Sequence, residues 1–206
     1  MEHTTTNLAN GTHPSETAYT VRRATVDDTD GIVKIGRKVF SETFTHNTPE
    51  NIDLYLSKTY TNEAIRADIL NPHRRILVAI PSSSSYPPTP ASEAPNGKAE
   101  EIAAFAILCT DSTPSEPSVS TWPNPIELQR IYVDTAHHGT GLAKLLSQEV
   151  DNLAREERYE SIWLGVLPEN QRAVRFYEKS GYKKVGTHGF WLGDQLDTDD
   201  IMIRLL

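Results

Sequence analysis

Gly139-Thr140-Gly141 is the stretch of this chain best suited to chemistry. Two glycines one residue apart run directly into Leu142-Ala143-Lys144, the start of a helical apolar pattern. Unpaired backbone N–H groups at a helix start, with the helix dipole behind them, make a ready anion site. Glycine also lets the backbone approach such an anion closely. The N–H groups of Gly139, Gly141, Leu142 and Ala143 are therefore expected to point at a phosphate. Three glycine-loop readings compete. The dinucleotide fingerprint needs a third glycine, or an alanine in its place, and Lys144 holds that position. The nucleotide loop G-x-x-x-x-G-K-[ST] does not occur. A pyrophosphate cradle of the form [Q/R]-x-x-G-x-[G/A] remains, ending in Gly141-Leu142-Ala143.

The elements that must hold this turn are legible on both sides of it. Glu127 to Val133 reads as a strand leading in. Leu142, Leu145, Leu146, Val150 and Leu153 form the apolar stripe of a helix from Gly141 to about Glu157. Ser161 to Val166 is short and apolar, as a central strand should be. A helix from Asn170 follows, with Gly181 at its C-terminal cap. Upstream, Tyr19 to Arg23 alternates as a strand, and Asp27, Asp28 and Asp30 open a helix over 28–43. Thr48-Pro49-Glu50 starts a helix to about Tyr60. Thr61-Asn62-Glu63 starts a shorter one ending at Asn71-Pro72. Arg75 to Ile80 and Ile102 to Thr110 read as an antiparallel hairpin around a Pro/Ser-rich loop, 81–100. Asp111 to Pro125 is irregular. Tyr182 to Thr187 and Ile201 to Leu206 are the last strands, with an acidic turn, Phe190 to Asp200, between them.

Taken in this order, the motifs resemble the GNAT superfamily of acetyl-CoA-dependent N-acetyltransferases. Gln129-Arg130-Ile131-Tyr132-Val133 is similar to the family's fourth strand. His138-Gly139-Thr140-Gly141-Leu142-Ala143 is similar to its coenzyme A loop, although His138 stands where Gln or Arg is usual. Asn170 to Tyr182 matches its signature N-x-x-A-x-x-x-Y-x-x-x-G-[FY]. The resemblance implies a mixed α/β GNAT fold over residues 18–206, after a disordered tail, 1–17. That fold has a mostly antiparallel sheet of six to seven strands, splayed between the fourth and fifth, with four to five helices. It implies acetyl-CoA as cosubstrate and no metal. It implies cofactor contacts from Ile131, Tyr132, Val133, His138, Gly139, Thr140, Gly141, Leu142, Ala143, Asn170 and Tyr177.

The implied reaction is attack of an amine on a thioester. A protonated amine is no nucleophile, so a proton acceptor is needed, and the leaving thiolate benefits from an acid. The resemblance places Tyr177 as that acid. Glu127 is the candidate base, at the start of the fourth strand and on the parity of Gln129. The ending, Gly186 to Met202, is similar to that of the Pai-type spermidine/spermine acetyltransferases. Asp194, Asp197, Asp199 and Asp200 near Phe190-Trp191 would attract a polycation. A small polyamine-like acceptor leads; a protein or peptide acceptor, or a catalytically weak coenzyme A-binding module, stays open.

Composition excludes other classes. The 206 residues suit one domain with a tail, and a net charge of −8 argues against nucleic-acid binding. The single cysteine, Cys109, cannot form an intrachain disulfide and reads as a small buried hydrophobe. Neither a membrane-length apolar run nor a signal-peptide pattern is present, so a cytoplasmic location is expected. The sequence leaves a homodimer open.

Overall fold

The computed structural model describes residues 18–82 and 101–206, so the expected tail and nearly all of loop 81–100 lie outside the described residues. Strand β1 (Tyr19–Arg23) leads through a 3-10 turn into α1 (Thr29–Thr43). The Arg22 guanidinium holds Asp28 at 2.8 Å across that turn. Helices α2 (Pro49–Thr59) and α3 (Asn62–Leu70) start as their sequences predict. Thr48 accepts from the Asn51 N–H and Thr61 from the Ala64 N–H, satisfying one orphan donor at each end. Then come β2 (Arg74–Pro81), β3 (Ala104–Cys109) and β4 (Pro125–Val133). The segment between β3 and β4 is two short 3-10 turns. The second half is α4 (Leu142–Glu156), β5 (Ser161–Val166), α5 (Gln171–Lys179), β6 (Lys183–Leu192) and β7 (Gln195–Leu205).

Among the described residues, seven strands form one sheet in the order β1-β2-β3-β4-β5-β7-β6. Only β4 and β5 run parallel. One face carries α4 and α5 over Leu142, Leu146, Val150, Ile162 and Leu164, all essentially buried. Burying each such side chain contributes roughly 1.5–3 kcal/mol. The other face carries α1, α2 and α3 over Ile32, Ile35, Ile65 and Phe105. Here Gly36 admits the Tyr60 ring: a Cβ on Gly36 would lie 2.1 Å from it. A smaller cluster on that same face, Trp163, Ile201 and Ile203, is covered by Val119 and Trp122 of the irregular segment.

Two features of the sheet shape the site. The β4–β5 ladder covers only Pro125–Glu127 against Ser161–Trp163, and the strands separate beyond it. A bulge interrupts β4 against β3, where Ile107 pairs with Arg130 but Leu108 with Leu128. The extra residue is Gln129, so the alternation of faces resets there. The sequence reading placed Glu127 on the parity of Gln129; the bulge instead puts Glu127 on the face of Arg130 and Tyr132. The acidic turn expected over Phe190–Asp200 is far shorter than that. Most of Phe190–Asp200 is strand, because β6 and β7 pair continuously down to Leu192 opposite Gln195. Only Gly193 and Asp194 turn, with Gly193 at φ +65°. The glycines and the scattered apolar residues of this segment hide its period of two.

Candidate active site

Where β4 and β5 part, a cleft of about 560 Å³ opens. Val39, Thr43 and His46 line it from α1 and the turn after it, and Ala143, Ala173, Phe176 and Tyr177 from α4 and α5. These helices lie on opposite faces, so the gap joins the two sides of the sheet. Ile131 and Val133 line it with their side chains. Tyr132 points the other way and packs on Phe105 and Tyr60. Beyond Glu127, the edge of β4 that faces β5 has no strand partner. An extended chain could pair there by its main chain.

The glycine turn sits at the end of β4. Asp134 fixes its entry by accepting from the Ala136 N–H at 2.9 Å and from Lys38 at 2.6 Å. The Tyr19 hydroxyl bonds His137 at 2.9 Å and ties the turn to β1. Gly139 and Gly141 both take left-handed φ, +82° and +83°, and nothing lies within 4 Å of where either Cβ would be. Leu142 is 1% exposed and anchors the first turn of α4 in the core. No side chain caps α4. The N–H groups of Leu142, Ala143 and Lys144 therefore lack intrahelical partners and face the open turn. This donor set, with space above it, fits a pyrophosphate. Acetyl-CoA bound there would supply the thioester. Lys144 is exposed.

His138 lines the cleft, and its ring is held from both sides. Arg172 Nη1 donates to its Nδ1 at 2.7 Å, so Nε2 carries the proton and donates to the Val133 carbonyl at 3.2 Å. Arg172, which also lines the cleft, brings to the loop start the positive charge that His138 in its neutral form does not. The sequence reading missed this residue, although it lies inside the Asn170–Tyr182 block. Thr140 donates to the His137 carbonyl and shapes the turn. Asn170 lines the cleft and caps α5 by accepting from the Ala173 N–H at 3.2 Å.

Tyr177 is 8% exposed and packs edge-on against Phe176 and Tyr182, leaving the cleft beside it. Burial, reinforced by Tyr182 and Tyr132, raises its phenol well above the ordinary value. It stays protonated at any working pH. Glu127 does not line the cleft. It pairs with Cys109 and Trp163, and its Oε2 is buried without a hydrogen-bond partner. Burial raises its carboxyl, with Ser112, Arg74 and Arg130 among the opposing influences.

The β6–β7 hairpin is fastened to the turn between α1 and α2. Asp197 accepts from Asn47 at 2.8 Å, and His46 bonds the same oxygen at 3.2 Å. Asn51 donates to Asp194 at 2.8 Å, and Lys184 pairs with Asp200. Of the four aspartates, only Asp199 keeps a buried oxygen, Oδ1, without a partner. Among the described residues, no group of three or more His, Cys, Asp or Glu could hold a metal ion, and no helix is long and apolar enough to cross a membrane.

Residues 84–182, which hold the splayed strands, the glycine turn and the whole Asn170–Tyr182 block, match the profile of the Acetyltransferase (GNAT) family. Over this region the chain is similar to the GNAT-family N-acetyltransferases. An uncharacterised N-acetyltransferase of Lactobacillus delbrueckii subsp. lactis is 29% identical over 180 residues, 87% of this chain and 92% of the relative. One from Mycobacterium tuberculosis is 42% identical over 81 residues, 39% of this chain and 52% of the relative. The fold is shared with PaiA N-acetyltransferase from Thermoplasma acidophilum, crystallised in complex with coenzyme A. The TM-score is 0.67 at 18% identity, covering 92% of this chain and 99% of that one. The matched region contains the short β4–β5 ladder and the left-handed turn at Gly139–Gly141.

Proposed function

We propose that this acetyltransferase moves the acetyl group of acetyl-CoA to a primary amine of a small, polyamine-like acceptor, by direct attack in a ternary complex. The observation that carries the reading is the cleft joining both faces of the sheet, with a left-handed glycine turn at its mouth. In this reading the N–H groups of Gly139, Gly141, Leu142 and Ala143 hold the pyrophosphate, helped by Thr140, His138 and Arg172. The main chain of Ile131, Tyr132 and Val133 pairs with the pantetheine arm. His138 gives up the Val133 carbonyl when that arm docks. Asn170 orients the start of α5, and holding both reactants in one cleft supplies much of the rate.

Tyr177 faces the leaving group. A phenol raised this far transfers its proton uphill to a thiolate of ordinary basicity near 8.5. Its role is therefore a hydrogen bond that stabilises charge developing on sulfur. Tyr177→Phe is expected to lower kcat about tenfold, the worth of one such bond, without moving either limb of the pH–rate profile. A displaced alkaline limb would restore Tyr177 as a true proton donor.

The acceptor class is tested by thiol release from acetyl-CoA with spermidine, spermine, monoamines, amino acids, aminoglycosides and short peptides. Spermidine or spermine is expected to give the highest kcat/KM. Turnover confined to peptides would replace the small-amine reading. Coenzyme A binding without turnover on any amine would replace catalysis with a binding role.

A further inference from the structure

We propose that Asp199 is the group that receives the acceptor's ammonium and takes its proton, in an opening whose floor is Gly165 on β5. The inference rests on the acetyl-transfer reading above and assigns a residue within it.

Three observations place the opening. Gly165 is exposed although β5 is a central strand, and the other five β5 residues are buried. Its missing side chain faces Asp199: a Cβ there would stand 3.0 Å from Asp199 Oδ2. Gly165 also lies beyond Trp163, the last β5 residue paired with β4, so the opening sits at the splay itself. Gly165 and Asp199 belong to neither apolar cluster of that face; they lie outside the lining of the cleft, to which Glu169 beside Asp199 does belong.

The surrounding charges favour a cation. Asp199 feels the charge of Asp197 and of the adjacent Asp200 on its own strand, of Glu169 from the β5–α5 loop and of His188 directly opposite on β6, and it acts in turn on Tyr132 of β4. Asp197 is committed to His46, Asn47 and Gln195, and His188 to Glu116. Asp199 Oδ1 has no partner. Burial, then the Asp197 carboxylate, pushes the Asp199 carboxyl up to about 6. A proton acceptor works best when its pKa lies close to the operating pH. Glu127, the other orphaned carboxylate on this face, is attended by the Arg74 and Arg130 guanidiniums, which repel an ammonium.

The ammonium N–H bond breaks, its electron pair stays on nitrogen, and the proton goes to the Asp199 carboxylate and on to water. The nitrogen pair forms the bond to the acyl carbon while the carbon–sulfur pair leaves with sulfur. A second nitrogen proton is lost as the amide forms and ends on sulfur. The products are amide, thiol and one released proton.

The test uses the full chain with 13C-labelled aspartate, the Asp199 carboxyl signal being assigned by its loss in Asp199→Asn. The wild-type signal should titrate near 6 and shift on addition of n-butylamine. With the fastest acceptor of the amine panel, Asp199→Asn should lower kcat/KM about 100-fold and abolish the acidic limb of its pH profile, while coenzyme A affinity stays the same. Gly165→Ala should raise the amine KM roughly tenfold, with coenzyme A affinity again unchanged. A carboxyl signal that titrates in the ordinary range and ignores n-butylamine would overturn the proposal. So would an Asp199→Asn enzyme within twofold of wild type. If no amine is acetylated yet n-butylamine still moves the signal, the transfer reading fails and the ammonium site stands.

Discussion

Gly141→Val is expected to weaken coenzyme A binding about 100-fold, or about 2.7 kcal/mol, while the protein still folds. Gly141 sits at φ +83°, immediately before α4. A side chain there costs about 1–2 kcal/mol, and a β-branched one is a pronounced outlier. Nothing lies within 4 Å of its Cβ position, so no clash adds to that strain in the free protein. Binding suffers by either of two routes. If valine keeps the left-handed conformation, its methyls enter the space a phosphate would fill. If the backbone relaxes to negative φ, the next peptide rotates and the N–H groups lose their common aim. Calorimetric titration with coenzyme A beside a thermal melt separates binding from folding. Affinity within threefold of wild type would remove the cradle assignment. Gly36 gives the contrasting case: its constraint is the Tyr60 ring, not backbone conformation.

Asp199→Asn is expected to stabilise the fold at pH 7.5 by up to about 3 kcal/mol, the equivalent of two pKa units. The folded carboxyl lies near 6 against an ordinary 3.8, because burial and Asp197 disfavour its charge. Between those values the native state binds the extra proton. Stability from this group is therefore full below about 3.8 and is lost as pH rises through about 6. The asparagine variant should show a flatter stability–pH curve and no gain at pH 3.5. Denaturant unfolding at both pH values reads the difference directly. A variant less stable than wild type at pH 7.5 would mean that the carboxylate is compensated in the fold. The expected gain in stability, set against an expected loss of rate, is what strain held at a working site produces.

Phe44 meets Phe190 edge-on and stacks on Phe40, which links α1 to the β6–β7 hairpin. With Asp197 and Asp194 bound by His46, Asn47 and Asn51, these contacts make the hairpin a fixed wall. The aspartates that suggested a polycation in the sequence thus divide by role. Three serve the architecture of the wall, and Asp199 remains for an acceptor.

The central unit follows from local sequence alone. Gly139 and Gly141 had to turn left-handed, Leu142 to Leu153 had to bury one stripe, and Asn170 and Gly181 had to begin and end a helix. Each of these follows from local chemistry, a cap or a conformation open to glycine, and local chemistry survives folding. Thr48 and Thr61 belong to the same class. Other features depend on contacts between residues far apart in the chain. The bulge at Gln129 arises only when β4 is laid against β3, and it reversed the face expected for Glu127. The long β6–β7 hairpin needed β5 beside it before Asp197 and Asp199 could be seen to point inward. Arg172 acquired its meaning from His138 across the cleft. Gly165 looked like an ordinary small residue in an apolar strand. Only the separation of β4 from β5 exposes it, and only the return of β7 brings the Asp199 carboxylate over it. Local rules set which elements form and where they stop. The pairing of strands decided which of two orphaned carboxylates lies over the exposed Gly165.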